Sequence, residues 1–332
     1  MSAVAGATPS GPPKERPLLN VEDLVVSFTK GKSTVQAVAG VSFSIQEGET
    51  LGLVGESGCG KSTTGRAIVQ VEAPTSGKIS FGDVELTALD RSEIRTLRTK
   101  IQMIFQDPIS SLNPRRRVRD IVAEPLTIWK IGTKAERRAT VDAMLNSVGI
   151  DPDVSGDRRP REFSGGQCQR ISIARALVLQ PQLLVCDEVV SALDVSVQAQ
   201  ILNLLEDLKK IHHLTILFIA HDLAVVKNVS DRVAVMYLGR LCEIAPSDVL
   251  YEAPAHHYTA ALLSAALEPD PEAERDQTVL SGEPPSPINP PSGCRFRTRC
   301  PRAETKCAEE VPELREIAPG HQVACHFPLV GT

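Results

Sequence analysis

Apolar and polar residues alternate along 18–28 (LLNVEDLVVSF) and 34–45 (TVQAVAGVSFSI). A period of two places one face of a strand in a core and the other in water, so these segments are expected to pair as antiparallel strands. The pattern then changes. TLGLVG (50–55), LLVCD (183–187) and LTILFIA (214–220) are continuous apolar runs of strand length. Such runs suit strands buried on both faces. Residues 61–70 are expected to form a helix after a Gly-rich turn. Between the last two runs, Val197, Ile201, Leu204, Leu205, Leu208 and Ile211 recur at helical spacing. Strand–helix–strand alternation predicts an α/β fold, a parallel sheet covered by helices. Residues 107 to about 175 read as an inserted helical subdomain, with Pro and Arg breaks through 160.

The chain has 332 residues, which suits one large α/β domain, 18–250, with appendages. Residues 1–17 are rich in Ala, Gly, Pro and Ser, lack an apolar signal core, and read as a disordered tail. Residues 251–293 read as a docking helix followed by a linker, with seven prolines in 268–293. Residues 294–332 then form a separate small module. A net charge of -5 argues against nucleic acid as a partner. No apolar run approaches the roughly 18 residues of a membrane span.

The run 50–55 opens into Gly55-Glu56-Ser57-Gly58-Cys59-Gly60-Lys61-Ser62-Thr63, which fits G-x-x-x-x-G-K-[ST]. Glycines let successive N–H groups turn inward around phosphate oxygens, and the helix start adds its positive dipole end. Lys61 is placed to reach the β- and γ-phosphates of ATP, and Ser62 to ligate Mg²⁺. Cys59 is read as an inert loop residue, although the charge of Lys61 is of the kind that depresses a thiol pKa. Asp187 ends an apolar strand, where a carboxylate helps to hold Mg²⁺. Glu188 follows it, placed to orient or deprotonate the attacking water.

Of the eight cysteines, Cys294, Cys300, Cys307 and Cys325 crowd beyond the Pro-rich stretch. In an intracellular ATPase they read better as metal ligands than as disulfides. Their spacing matches neither the usual zinc nor the ferredoxin patterns. Four thiolates in a module with little core still suit zinc or an iron–sulfur cluster. His321 and His326 are possible substitute ligands, more plainly read as exposed or outlying residues.

Ser164-Gly165-Gly166-Gln167, ahead of Asp187, resembles the signature sequence of ABC-type ATPases. Gln106 in FQDP is similar to their Q-loop, Asp194 in SALD to their D-loop, and His221 after LTILFIA to their switch histidine. The resemblance implies a P-loop ATPase whose parallel-sheet core carries an antiparallel β subdomain and a helical one. It implies that two such domains close head to tail over two ATP molecules, each SGGQ segment meeting the other subunit's γ-phosphate. It also implies that Phe28 stacks on adenine and that Gln106 contributes to the Mg²⁺ site and to catalysis. A narrower resemblance rests on FQDPISSLNPRRRV, EFSGGQCQRISIARAL, HHYTAALLSAAL and GCRFRTRCPRAETKC…HQVACHF. These are similar to the F-type ATPases of oligopeptide and dipeptide permeases. That implies a D-type ATPase partner, two membrane permease subunits, an extracytoplasmic binding protein and a place on the cytoplasmic face of the membrane. It further implies a [4Fe–4S] cluster on the four cysteines, zinc being the alternative. Nickel or another small solute is the rival cargo. A soluble ABC machine fits less well, since there is one cassette and no heptad insertion, and a redox-regulated switch is a third reading. Two positions depart from the family: Cys168 where Arg is usual, and Val189 where Pro is usual.

Overall fold

The alternating segments do pair: β1 (Leu19–Lys30) runs antiparallel to β2 (Ser33–Ile45), with Leu19 opposite Ile45 and Phe28 opposite Val35. The computed structural model describes residues 16–31, 33–266 and 282–329. The expected tail therefore lies outside the described residues as far as residue 15, and so do residues 267–281 of the expected linker. Strands β4 (Ser76–Phe81) and β5 (Val84–Glu85) complete a four-stranded sheet in the order β2-β1-β4-β5.

The main sheet is built from β3 (Thr50–Val54), β6 (Ile101–Ile104), β7 (Leu183–Asp187), β8 (Thr215–Ala220), β9 (Arg232–Tyr237) and β10 (Arg240–Pro246), joined by β11 (Arg315–Ala318) and β12 (His321–Val323). Its order is β11-β12-β10-β9-β3-β8-β7-β6. From β9 to β6 the pairing is parallel. Successive side chains on the parallel strands feed two different cores. Leu183, Val185, Leu217 and Ile219 point to the layer shared with β1, β2 and the helix Lys61–Ile68. Leu184, Cys186, Ile216 and Phe218 point to the layer shared with the helical insertion. Period-two burial on both faces is why these strands are apolar throughout.

The helical insertion lies between β6 and β7, which are neighbours in the sheet. Its main helices are Val118–Ile128, Lys134–Ser147 and Gly165–Leu177. Reciprocal capping boxes start the last two, Thr133 with Glu136 and Ser164 with Gln167. Cys168 is buried and donates its thiol toward Pro160 O (3.5 Å). The helix Val195–His212 buries Ile201, Leu205 and Leu208, but Ile211 is 66% exposed, so the expected apolar face ends a turn early.

The cysteine segment is not the separate module that the proline-rich stretch suggested. Strand β12 pairs with β10, Ile244 lying opposite Gln322, and β11 pairs with β12, so the segment closes an edge of the main sheet. An uncovered edge strand exposes unpaired N–H and C=O groups, and this short hairpin satisfies them. Two buried contacts fix it. Phe296 packs its ring against Tyr237 and Tyr258, with centroids 5.4 and 5.3 Å away. The Glu243 carboxylate is fully buried and accepts from Ala255 N (2.7 Å), His256 N (2.9 Å) and the His321 ring (2.7 Å).

His321→Ala removes one of three donors to that carboxylate. A hydrogen bond to a charged group contributes about 2 kcal/mol. Amide exchange at Gln322 and Val323 is expected to quicken about 30-fold, the equivalent of that energy. Exchange in β3 stays unchanged. Unaltered exchange in β12 would mean that the pair does not hold the hairpin.

Candidate functional site

The loop between β3 and the helix Lys61–Ile68 is a tight cradle. Gly60 has φ 110°, and a Cβ there would lie 2.1 Å from Ala37 O, so only glycine fits. Lys61 is buried, and its ammonium donates to the loop's own carbonyls, Gly55 O (2.7 Å) and Glu56 O (3.1 Å). Ser57 and Gly58 are exposed at the loop tip, and Thr63 is half-buried one turn into the helix. Cys59 is buried, and desolvation raises its thiol pKa against the smaller opposing effect of Lys61. The thiol is therefore not activated.

Asp187 ends β7 beside this cradle. Ser62 Oγ donates to Asp187 Oδ1 at 2.6 Å, while Oδ2 is buried with no partner. Burial raises the Asp187 pKa, opposed by the Ser62 bond and by Arg66. A buried carboxylate oxygen without a donor, next to a hydroxyl, fits a hard divalent cation.

Three neighbouring strands then deliver three side chains to one point. Gln106 follows β6, Glu188 follows β7 and His221 follows β8. Gln106 Nε2 donates to Glu188 Oε2 at 2.8 Å, and His221 Nδ1 lies 3.7 Å from the same oxygen. Glu188 has φ 50°, an unusual left-handed conformation for a side chain of its size, and its N–H donates to Ile219 O. Val189 behind it is buried in the core.

Phe28 is 42% exposed, the condition a stacking platform needs, and is not a core phenylalanine. Ser164 and Gln167 spend their side chains on each other's backbone N–H groups. Leu193 and Val197 pack over Gly165 and Gly166, which sets the segment against the residues flanking Asp194. Asp194 is exposed, and its side chain caps nothing. Among the described residues, no hydrogen bond joins SGGQ to the phosphate loop of its own chain.

The structure adds residues that sequence reasoning missed. Arg299 grips the Glu56 carboxylate with both terminal nitrogens (2.8 and 3.0 Å) and lies over the Tyr237 ring. Its side chain is 5% exposed. Tyr258 Oη accepts from Glu56 N at 2.9 Å. These partners lie more than 200 positions from Glu56, and no local pattern marks them.

Cys294, Cys300, Cys307, Cys325 and His326 line one small cavity of about 10 Å³. All eight cysteines are free thiols. Burial raises the pKa of Cys294 and Cys300, and pushes Cys325 up to about 11. Among the described residues, no group of three or more His, Cys, Asp or Glu is spaced to hold a metal ion, so the expected metal centre is not seen. His321 is engaged by Glu243, and His326 by Glu310 O, so neither stands as a substitute ligand.

Residues 38–191 match the family described as ABC transporter, and 242–307 match the oligopeptide/dipeptide transporter C-terminal region. The dimeric ATP-binding cassette MJ0796, in a post-hydrolysis state bound to ADP and Pi, superposes with a TM-score of 0.64 at 27% identity, covering 69% of this chain and 98% of that one. A strand-end site of this kind on this sheet is that of an ABC-type ATPase, a protein that binds and hydrolyses ATP with Mg²⁺. The chain is 56% identical to YkfD of Bacillus subtilis (strain 168), over 94% of this chain and 95% of that protein. It is 52% identical to the oligopeptide transport ATP-binding protein OppF of Escherichia coli (strain K12), over 93% and 95%. The chain belongs to the oligopeptide/dipeptide family of ABC transporter ATP-binding proteins.

Arg299→Gln leaves the Glu56 carboxylate unpaired beside the cradle, a negative charge where phosphates must dock. MgATP affinity is expected to fall roughly tenfold. Glu56→Gln combined with Arg299→Gln removes that charge and should recover most of the loss. Titration with a fluorescent ATP analogue reads both. Equal affinity in wild type and Arg299→Gln would show that the clamp does not shape the loop.

Proposed function

We propose that this chain is the F-type ATPase subunit that powers import of short peptides through an ABC transporter. Two supports carry the reading together: the Gln106–Glu188–His221 cluster at the strand ends, and the oligopeptide/dipeptide region matched at 242–307. Lys61 exchanges its loop carbonyls for the β- and γ-phosphate oxygens, and the loop N–H groups from Gly55 to Thr63 wrap the triphosphate. Ser62, Asp187 and Gln106 are the residues that would hold Mg²⁺, which when bound neutralises charge on the β- and γ-phosphates. Phe28 offers its exposed ring to adenine. Glu188 Oε2 takes a proton from water as the water oxygen bonds to the γ-phosphorus and the bond to the β–γ bridging oxygen breaks. Gln106 and His221 face that same carboxylate oxygen and orient it. The Ser164–Gln167 segment and Asp194 belong to the opposite site of a head-to-tail dimer. A helix start carrying two glycines suits a partner's γ-phosphate, and the segment makes no bond to its own loop.

The assembly follows from the same reading: a D-type ATPase as dimer partner, two membrane permease subunits above, and an extracytoplasmic binding protein that delivers the peptide. The chain sits peripherally on the cytoplasmic face. No helix among the described residues is long and apolar enough to cross a membrane.

The thiol cavity is the proposed seat of an iron–sulfur cluster. Four sulfurs and no carboxylate make a soft donor set. Zinc is the alternative occupant of the same donor set. The cluster's role is structural, holding Arg299 beside Glu56.

Three measurements test these assignments. Glu188→Gln should keep ATP binding and slow single-turnover hydrolysis by roughly 10²–10⁴-fold at its site. Uptake of labelled di- to pentapeptides by reconstituted transporter should stop with it; wild-type hydrolysis in this variant would remove Glu188 as base, and uptake of nickel but no peptide would replace the cargo. Protein purified without oxygen should contain iron and sulfide and absorb broadly near ~400 nm. Stoichiometric zinc without iron would select the zinc alternative, and metal-free protein of full stability would remove both.

A further inference from the structure

A cavity of about 790 Å³ opens between the first turns of β1, with β2 beside it, and the C-terminal segment on β10. It lies apart from the phosphate loop, and the ATPase reading does not use it. Three arginines line it. Arg232 is matched, donating to Glu49 (3.1 Å) and Ser44 O. Arg240 and Arg295 are not. Arg240 Nε is buried without a hydrogen-bond partner. Arg295 is 9% exposed and donates one nitrogen to Leu238 O. Among the described residues, neither guanidinium makes an ion pair, and Arg240 disfavours the charge of Arg295. Burial, reinforced by Arg240, lowers the Arg295 pKa to about 10. The acids around the cavity are exposed and occupied elsewhere, Glu22 with Asn20 and Asp23 with Ser42, while Glu313 is exposed to solvent.

We propose that Arg240 and Arg295 form a binding site for a small oxyanion ligand in this cavity. A buried Arg295 beside a half-buried Arg240 whose Nε–H is buried and unused is costly alone, and a bound carboxylate or phosphate relieves both the repulsion and the orphaned donor. The planar guanidinium fork matches either oxyanion in a bidentate grip. The volume is that of a small-molecule site. Two sources share this chemistry, and both are products of the transport cycle: the C-terminal carboxylate of a short peptide and inorganic phosphate. The peptide source rests on the import reading above; the phosphate source needs only the ATPase.

Equilibrium dialysis of the full chain decides it, with the phosphate loop saturated by a non-hydrolysable MgATP analogue so that phosphate cannot bind there. The probes are labelled phosphate, labelled Ala-Ala-Ala and its C-terminal amide. One of the two oxyanions is expected to bind at one site per chain, and the amide is expected not to bind. Arg240→Gln and Arg295→Gln should each weaken binding about tenfold or more. Arg295 also braces the turn at Leu238, so retained MgATP affinity serves as the folding control and Arg240→Gln as the variant free of that role. Tripeptide binding without phosphate binding assigns the peptide source, and the reverse assigns phosphate. No binding of either at about 10 mM, or full binding in Arg240→Gln, overturns the site. Since the assay needs no permease, its failure leaves peptide uptake untouched, and failed uptake leaves phosphate binding intact.

Discussion

Strands buried on both faces have no side on which to display a polar side chain, so chemistry on this sheet has to emerge where the strands stop. β3, β7 and β8 are buried at every position. Asp187, Glu188 and His221 fall on the residues that end or follow β7 and β8, and Ser62 lies at the start of the helix that the loop after β3 leads into. Parallel pairing then does the assembling. β6, β7 and β8 lie side by side, so Gln106 meets Glu188 across 82 positions of sequence because their strands end level. The insertion between β6 and β7 leaves this geometry intact, since it returns to a strand hydrogen-bonded to the one it left.

The same constraint explains why the C-terminal segment belongs to the site's support. The phosphate loop is tied to the turn between β9 and β10, where Gly239 N donates to Cys59 O at 2.7 Å, and is held further by residues beyond the sheet. Tyr258 takes the Glu56 N–H, and Arg299 takes its carboxylate with two bonds. Arg299 is one residue from Cys300, and Phe296 shares the aromatic packing of Tyr237 and Tyr258. The thiol cavity and the phosphate loop are therefore two ends of one chain of contacts, with a part-buried bidentate ion pair as its middle link.

Legibility in the sequence followed the range of the interaction. Continuous runs such as LLVCD and LTILFIA announced the central strands, and the glycine and lysine pattern announced the cradle, because both signals are local. Strand β6 was not recognised: IQMI is four residues long and Gln102 breaks its apolar run. Strands β11 and β12 were too short to show a period, which is why an edge of the main sheet was taken for a separate module. The order of Gln106, Glu188 and His221 suggested their shared role, but their convergence on one carboxylate oxygen depends on strand register. Arg299 is one of several arginines near the C-terminal cysteines, and only tertiary packing distinguishes it. The exposure of Ile211 likewise reflects where the neighbouring elements end.

Apart from Asp187 Oδ2, the polar groups of the site are bonded to other groups of the same site. Lys61 rests on Gly55 O and Glu56 O, Ser62 on Asp187, and Gln106 on Glu188. On the proposed reading, arrival of MgATP is thus an exchange of hydrogen bonds, each of which already involves one charged group. What changes sharply is charge. On that reading Lys61 trades neutral carbonyls for anionic phosphate oxygens, and the unpartnered Asp187 Oδ2 gains a cation's field. Glu188 is the exception, for it is an anion drawn toward a polyanion. The Gln106 bond and the nearby His221 meet its Oε2, and its backbone is left-handed at the strand end. The folded sheet fixes that placement before any nucleotide binds.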